Sequence, residues 1–234
     1  MKIRNNLFIV SGGTYGKLGN AYVVQHDAGY ILIDSSVPGA QETIVSNLQY
    51  WGIDENKITH VLLTHGHDDH AGCAAYFQKK GAKICIGAPD ATMLIEGNFG
   101  SESPQTHHVM PPCVPDVTYT DDTAFDIENL HVQVYMMPGH TDGTVLYYID
   151  VDGEKILFSG DMFYPDGETG ALAFTGWKGD MTYSGEKLNE SFAKLWQLDL
   201  KPTIVVGGHG IVRIGLDASD VIKTAYKYCL MNNR

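Results

Sequence analysis

The 234 residues are 44% hydrophobic and 19% charged, a balance that excludes a disordered chain and allows a substantial core. A formal net charge of −12 repels phosphate backbones and anionic lipid, which argues against nucleic-acid and membrane partners and leaves a small molecule as the expected one. The apolar run near the start, Leu7–Val10, is too short for a signal-peptide core and no later run is long enough to span a bilayer, so the expected location is cytoplasmic.

In chain order, Leu7–Val10, Ala21–Val24 and Tyr30–Asp34 read as strands, with turns supplied by the glycine-rich stretch Gly12–Gly19 and by Ala28-Gly29. Ile44, Val45, Leu48 and Trp51 recur at helical spacing over Pro38–Trp51, with Pro38 suited to a helix start. Ile58–Thr64 is a short apolar strand, Ala71–Lys80 a helix closed by Gly81, and Lys83–Ile86 another strand. Gly97–Pro115 is proline-rich with no apolar period. A loop this long inside a compact unit is commonly functional, often a lid. Leu130–Met136, Thr144–Ile149 and Glu154–Ser159 are strands, and Thr203–Val206 is a strand between the helices Gly185–Leu198 and Asp217–Leu230. No linker or composition shift divides residues 1–234, so one domain is expected. Two similar mixed halves predict an α/β fold with two inner sheets and helices on both outer faces.

The segment Thr64-His65-Gly66-His67-Asp68-Asp69-His70 concentrates metal-ligand chemistry directly after a strand. In extended chain, residues two apart point to the same side, so His65 and His67 can reach one cation; on a helix they would point about 200° apart. Asp69 and His70 fall where the chain turns into the next helix and can aim at a second cation. One run cannot complete two coordination shells. His140, Asp161 and His209 are the candidates to do so, each at a strand end beside glycine, where the backbone turns tightly. The four cysteines, Cys73, Cys85, Cys113 and Cys229, form no CxxC pair and read as free thiols. Cys73, just past the histidine run, is expected to be a small buried residue rather than a ligand. His26 and His131 neighbour strands and read as surface residues, and His107 and His108 read as solvated loop histidines.

Taken together, Leu32-Ile33-Asp34, Thr64–Gly72, Pro138-Gly139-His140-Thr141, Ser159-Gly160-Asp161 and Gly208-His209-Gly210 resemble the metallo-β-lactamase superfamily, in order and in separation. The resemblance implies a four-layer αββα sandwich holding two divalent metals, zinc being the first expectation. It implies that His65, His67 and His140 bind one metal, that Asp69, His70 and His209 bind the other, and that Asp161 bridges them. It also implies that Asp34 orients ligands, although a turn role after a strand is an equal reading from the residue alone. Cys73 departs from the glycine common at that position.

Within the superfamily, the bridging aspartate and the expected cytoplasmic location argue against β-lactam as native substrate. The 25 residues after His209 leave room for one helix rather than the helical domain of glyoxalase-type thioesterases. The layout is similar to the quorum-signal lactonases, which carry a tyrosine three residues past the bridging aspartate, as in Asp161-Met162-Phe163-Tyr164. The expectation is a dinuclear metal hydrolase of a small ester, lactone or related acyl substrate. In it Asp69 would orient the nucleophile and move a proton, and Tyr164 would donate to the carbonyl oxygen. Phe163, Phe174, Trp177 and Tyr183 would form an aromatic pocket. The alternatives are a mono-iron persulfide dioxygenase using His65, His140 and Asp161, or a thioesterase or phosphodiesterase on the same scaffold.

Overall fold

In the computed structural model the described residues are 1–12, 18–100, 103, 107–165, 173–215 and 217–232. The glycine-rich turn expected between residues 12 and 19 lies mostly outside them. The chain begins with strands β1 (Lys2–Arg4), β2 (Leu7–Ser11), β3 (Ala21–His26) and β4 (Gly29–Ile33), which form an antiparallel meander. A 3-10 turn at Pro38–Ala40 leads into α1 (Gln41–Tyr50). Strand β5 (Ile58–Leu62) is followed by α2 (Asp68–Ala71), α3 (Ala74–Lys79), β6 (Lys83–Gly87), α4 (Ala91–Glu96) and β7 (Val117–Tyr119). Strands β4 to β7 pair in parallel and complete a seven-stranded sheet in sequence order.

The second half comprises β8 (Thr123–Ile127), β9 (Leu130–Met136), β10 (Val145–Val151), β11 (Glu154–Phe158), the short pair β12 (Tyr164–Pro165) and β13 (Ala173–Phe174), α5 (Gly185–Gln197), β14 (Ile204–Val206), β15 (Arg213–Ile214) and α6 (Asp220–Asn232). Its six-stranded sheet runs β15-β14-β11-β10-β9-β8, with β11 and β14 parallel.

Alternation along the strands builds the layers. Leu7, Ile9, Val24, Ile31, Ile33 and Leu62 face Val132, Val134, Tyr147, Ile149, Phe158 and Val206 across the sheet–sheet interface. Their neighbours Phe8, Val10, Val23, Leu32, Val61 and Ile84 face Ile44, Leu48 and Phe77 on the outer helices. Leu146, Leu157 and Val205 meet Leu188, Phe192 and Ala225 on the opposite outside. This is the expected αββα sandwich.

Local departures have identifiable causes. The helix expected at Ala71–Lys80 starts earlier, at Asp68, and breaks after Ala71. There the Gly72 amide donates to Ser36 O (2.9 Å) and the Cys73 amide to Ser35 Oγ (3.1 Å) rather than continuing the ladder. The short strands β1, β7, β8 and β15 and helix α4 carry too little periodicity to read in advance. His26 is buried rather than surface, bonded through Nε2 to the Thr59 hydroxyl (3.0 Å). The Gly97–Pro115 segment is not wholly polar loop: Phe99, Met110 and Cys113 are buried in the helix-side core, and Asn98 bridges to Val109. Residues 101–102 and 104–106 within it lie outside the described residues. Among the described residues, no helix is long and apolar enough to cross a membrane.

Candidate metal centre

The seven residues expected as ligands converge on one rim of the sandwich, beyond the ends of the inner strands. β5 leads to His65, His67, Asp69 and His70; the turn between β9 and β10 carries His140; β11 leads to Asp161 and β14 to His209. Carboxyl ends of parallel strands are where such sheets leave room for a site. The halves approach closely: Gly160 takes φ +50°, and a Cβ there would lie 2.5 Å from Thr64 Oγ1, so a side chain would force the two ligand loops apart.

Three ring nitrogens form a nearly equilateral triangle. His65 Nε2 lies 3.1 Å from His67 Nδ1, and His140 Nε2 lies 3.1 and 3.2 Å from those two. The outer nitrogens of the first two rings are engaged: His67 Nε2 with Asp180 Oδ2 at 2.9 Å and His65 Nδ1 with Thr64 Oγ1 at 3.1 Å. Asp180 can only accept, so the His67 proton sits on Nε2 and its Nδ1 lone pair faces inward. Thr64 donates its hydroxyl to Asp34 Oδ2 (2.8 Å) and so accepts from His65, which turns the His65 Nε2 lone pair inward as well. Two lone pairs 3.1 Å apart repel unless a cation lies between them. Tetrahedral coordination with bonds of about 2.0–2.1 Å would separate nitrogens by roughly 3.3 Å, close to this triangle.

Carboxylates dominate the other half. His209 Nε2 lies 3.2 Å from Asp69 Oδ2 and 3.4 Å from Asp161 Oδ2; His70 Nε2 lies 3.6 Å from Asp69 Oδ1 and 3.4 Å from Asp161 Oδ1. Asp161 Oδ2 is also 3.8 Å from His140 Nε2, so this carboxylate touches both halves. His70 Nε2 and Asp161 Oδ1 are buried and, despite their proximity, neither is aligned for a hydrogen bond. Side-by-side buried ligand atoms with no hydrogen bond between them suit a cation placed between them. The arrangement brings His65, His67 and His140 together, and likewise His70, Asp161 and His209, with Asp69 beside them.

The charges differ accordingly. Burial, reinforced by the neighbouring imidazoles, pushes His65 well below its ordinary value and His140 to about 3. Burial also opposes a charge on His70 and His209, but Asp69 and Asp161 overcome it and raise them to about 9 and about 10. Burial pushes the Asp69 and Asp161 carboxyls up, and the His70 and His209 charges prevail and hold both down.

Asp34 lies where the ligands need orienting. Oδ2 receives His70 Nδ1 at 2.9 Å as well as the Thr64 hydroxyl, and Oδ1 receives the Thr64 amide at 2.7 Å. Its φ is +55°, and Ser36, two residues on, is at +58°. Strain of this kind persists where surrounding bonds over-determine it, and Asp tolerates that region better than most residues.

Two carboxylates escaped the sequence reading. Asp180 is 7% exposed and binds His67; burial raises its carboxyl, but the bonds from His67 and Thr182 bring it down to about 2. Asp90, 1% exposed, accepts from the Gly66 amide, the Thr141 hydroxyl and the Gly143 amide, each at 2.8 Å, and so ties the His65–His67 loop to the His140 loop. Neither has a motif around it; the one local signal is that each stands alone in a segment without other acids to share a solvated face.

Around the centre, Phe99 stacks on His67 (4.6 Å between centroids) and on His108 (4.7 Å), and Trp177 lies 5.9 Å from His67. His108 is therefore not a free solvated histidine: its Nδ1 also lies 2.8 Å from Asp68 Oδ1. His107 is exposed beside it. Tyr164 packs edge-on against His209 at 5.7 Å. The expected aromatic pocket is corrected: Phe163 is fully buried against Phe192, Phe174 packs on Tyr228 of α6, and Tyr183 packs on the outer core shared with α5 and α6, so of that group Trp177 stands at the site. Cys73 is buried with its thiol toward Val37 O (3.2 Å), burial pushing it up to about 12; it is no ligand. None of the four cysteines is in a disulfide, and all four are buried.

A sequence profile of the metallo-beta-lactamase superfamily matches residues 14–209, a span containing all seven clustered residues. The chain belongs to that superfamily. It is 34% identical over 161 residues to glyoxylase B2 of Dictyostelium discoideum, covering 66% of this chain and 50% of that protein. It is 30% identical over 144 residues to a hydroxyacylglutathione hydrolase of Albidiferax ferrireducens, covering 61% and 47%. The chain thus spans about half the length of these curated relatives. In fold it is similar to a subclass B3 metallo-beta-lactamase of Bradyrhizobium japonicum, with TM-score 0.72, 22% identity and coverage of 89% and 76%. A B3 metallo-beta-lactamase with an active-site glutamic acid matches over 99% of this chain and 89% of its own, with TM-score 0.76 and 20% identity.

Proposed function

We propose that this protein is a dinuclear metal-dependent hydrolase of a small acyl substrate: an ester, a lactone or a thioester. The observation that carries the reading is the pair of adjoining donor sets sharing Asp161, with inward lone pairs in one half and buried unbonded donors in the other. The names of the hydroxyacylglutathione hydrolases among its relatives support including thioesters.

His65, His67 and His140 would hold one cation, Asp69, His70 and His209 the other, and Asp161 both. Nitrogen and oxygen donors without thiolate suit zinc, and also iron or manganese. When bound, such a pair supplies Lewis acidity and lowers the pKa of water toward about 7. The chain does the rest. Asp69, at 26% side-chain exposure the most open of the seven, accepts the proton of the attacking water on Oδ1 and returns it to the leaving group. Tyr164, packed on His209, donates its hydroxyl to the carbonyl oxygen as negative charge develops there. Phe99 and Trp177 bound the apolar side. Retention of Asp69, His70 and His209 in one cluster supports two metals over the single iron of a dioxygenase.

Elemental analysis followed by a panel of lactones, esters, thioesters, phosphodiesters and β-lactams tests the reading. We expect two metal equivalents and turnover of an acyl substrate, with Tyr164→Phe lowering turnover by up to about 10²–10³ at little change in KM. One iron per chain with oxygen uptake would overturn it, and unchanged Tyr164→Phe kinetics would reduce Tyr164 to a pocket wall.

A further inference from the structure

Between β13 and α5 the chain crosses the rim of the metal centre, and this stretch touches three ligand-bearing loops. The Gly176 amide donates to Asp161 O at 2.8 Å, and a Cβ at Gly176 would lie 2.6 Å from that same oxygen, so the backbone lies flush on the bridging residue. Farther on, the Thr182 hydroxyl accepts from the Asp142 amide (3.1 Å) and the Ser184 amide donates to Gly139 O (2.9 Å), which braces the turn that carries His140. Between these anchors stands Asp180. Its Oδ2 receives His67 Nε2 at 2.9 Å, while Oδ1 receives the Thr182 amide (2.7 Å) and hydroxyl (2.6 Å). Both oxygens are engaged, and the side chain is 2% exposed, so the carboxylate cannot turn away.

We propose that Asp180 is a positioning residue. It holds His67 as the Nε2–H tautomer, aims Nδ1 into the three-histidine triangle, and fastens the Trp177 segment to that half of the centre. The inference rests on the two-metal reading above. An imidazole binds metal through one nitrogen only when the other carries the proton, and a buried carboxylate opposite that proton sets both the tautomer and the ring angle. His140 provides the contrast: its Nδ1 has no partner among the described residues, so nothing comparable orients it. Asp34 serves His70 and, through Thr64, His65. Asp180 gives His67 the equivalent partner from 113 positions farther along the chain, and the same segment brings Trp177 to 5.9 Å from that ring.

The test uses metal-free protein first. Long-range ¹H–¹⁵N spectra at about pH 8, where an ordinary histidine is neutral, report which nitrogen of His67 is protonated. We expect Nε2–H in the wild type, retention of it in Asp180→Asn, which keeps an oxygen acceptor, and a tautomer mixture in Asp180→Ala. Chelator competition should then show the three-histidine half weakened by about 10–100-fold in Asp180→Ala, less in Asp180→Asn, with the Asp69–His70–His209 half unchanged. If His67 stays Nε2–H in Asp180→Ala and both metal affinities are kept, the proposal fails. Equal weakening of both halves in the two variants would also overturn it, since that marks general loosening. Neither readout uses turnover, so a protein that shows these effects and hydrolyses nothing in the panel would sink the functional reading alone.

Discussion

The two halves of the centre bury polar side chains by opposite means. His65, His67 and His140 meet as imidazoles, and burial keeps His65 and His140 neutral, the latter down to about 3. Asp69 and Asp161 instead draw protons onto His70 and His209, raised to about 9 and about 10 despite their burial. Without metal, those two protons stand where a cation would balance the carboxylates. Metal entry at the carboxylate half therefore displaces protons from His70 and His209, whereas burial leaves His65 and His140 none to displace, so the carboxylate half should empty first as pH falls.

The comparison breaks most completely at Asp161, the carboxylate that touches both halves. Asp161→Ala should weaken both metals and lower turnover by more than about 100-fold, the upper end of what loss of a mere orienting partner costs. In the metal-free variant, the His209 titration should fall back toward 6.5, because Asp161 is the leading charge that raises it against burial. Metal analysis and histidine titration by NMR check both; two tightly held metals at full turnover would show that Asp161 does not bridge.

Asp34 sharpens the comparison, since it bonds His70 directly and reaches His65 through Thr64. Asp34→Ala should weaken each half by about 10–100-fold, unlike Asp180→Ala, which should affect one. Chelator competition separates the cases, and loss confined to the His70 half would mean that Thr64 transmits nothing.

The most gradual effect is in the pH dependence of the metal-free protein. His70 and His209 titrate above 6.5 when folded, so their stabilisation is complete below 6.5 and disappears as pH rises through about 9 and about 10. His65 and His140 titrate below 6.5, so theirs is complete above 6.5 and is lost as pH falls, toward about 3 for His140. Stability of the chelated protein should therefore peak near pH 6.5, the unfolded value, with slopes of up to about 1.4 kcal/mol per pH unit for each titrating group. Denaturant midpoints measured from about pH 4 to about pH 10 test this across both arms. Stability that keeps rising between 6.5 and 9 would contradict the exchange of protons for cations.

How far the centre was legible beforehand follows from the range of each interaction. His65 and His67 face one point because an extended chain repeats every second residue, and that holds before any tertiary contact forms. Glycine beside His140, Asp161 and His209 marks turns for an equally local reason. The same alternation assigns Leu7 and Ile9 to one face of their strand and Phe8 and Val10 to the other, so the layered fold was legible too.

What only the tertiary structure decided involves partners far apart in the chain. Asp180 meets His67 across 113 positions, and Asp90 meets Gly143 across 53. An isolated aspartate in a loop has no spacing to reveal such a partner. Phe163 and Trp177 both read as pocket aromatics, yet one lies under α5 and the other beside His67, because the path of the chain beyond Asp161 decides which face is covered. The helix ends at Ala71 rather than continuing, because Ser35 and Ser36, brought there by strand β4, compete for its backbone. By itself, then, the sequence determined the ligand types and the direction in which each local segment presents them, since those depend on dihedral periodicity over a few residues. Which carboxylates hold the ligands in place, and which aromatics face the centre, depended on closing long loops between the two halves, and no local pattern encodes that closure.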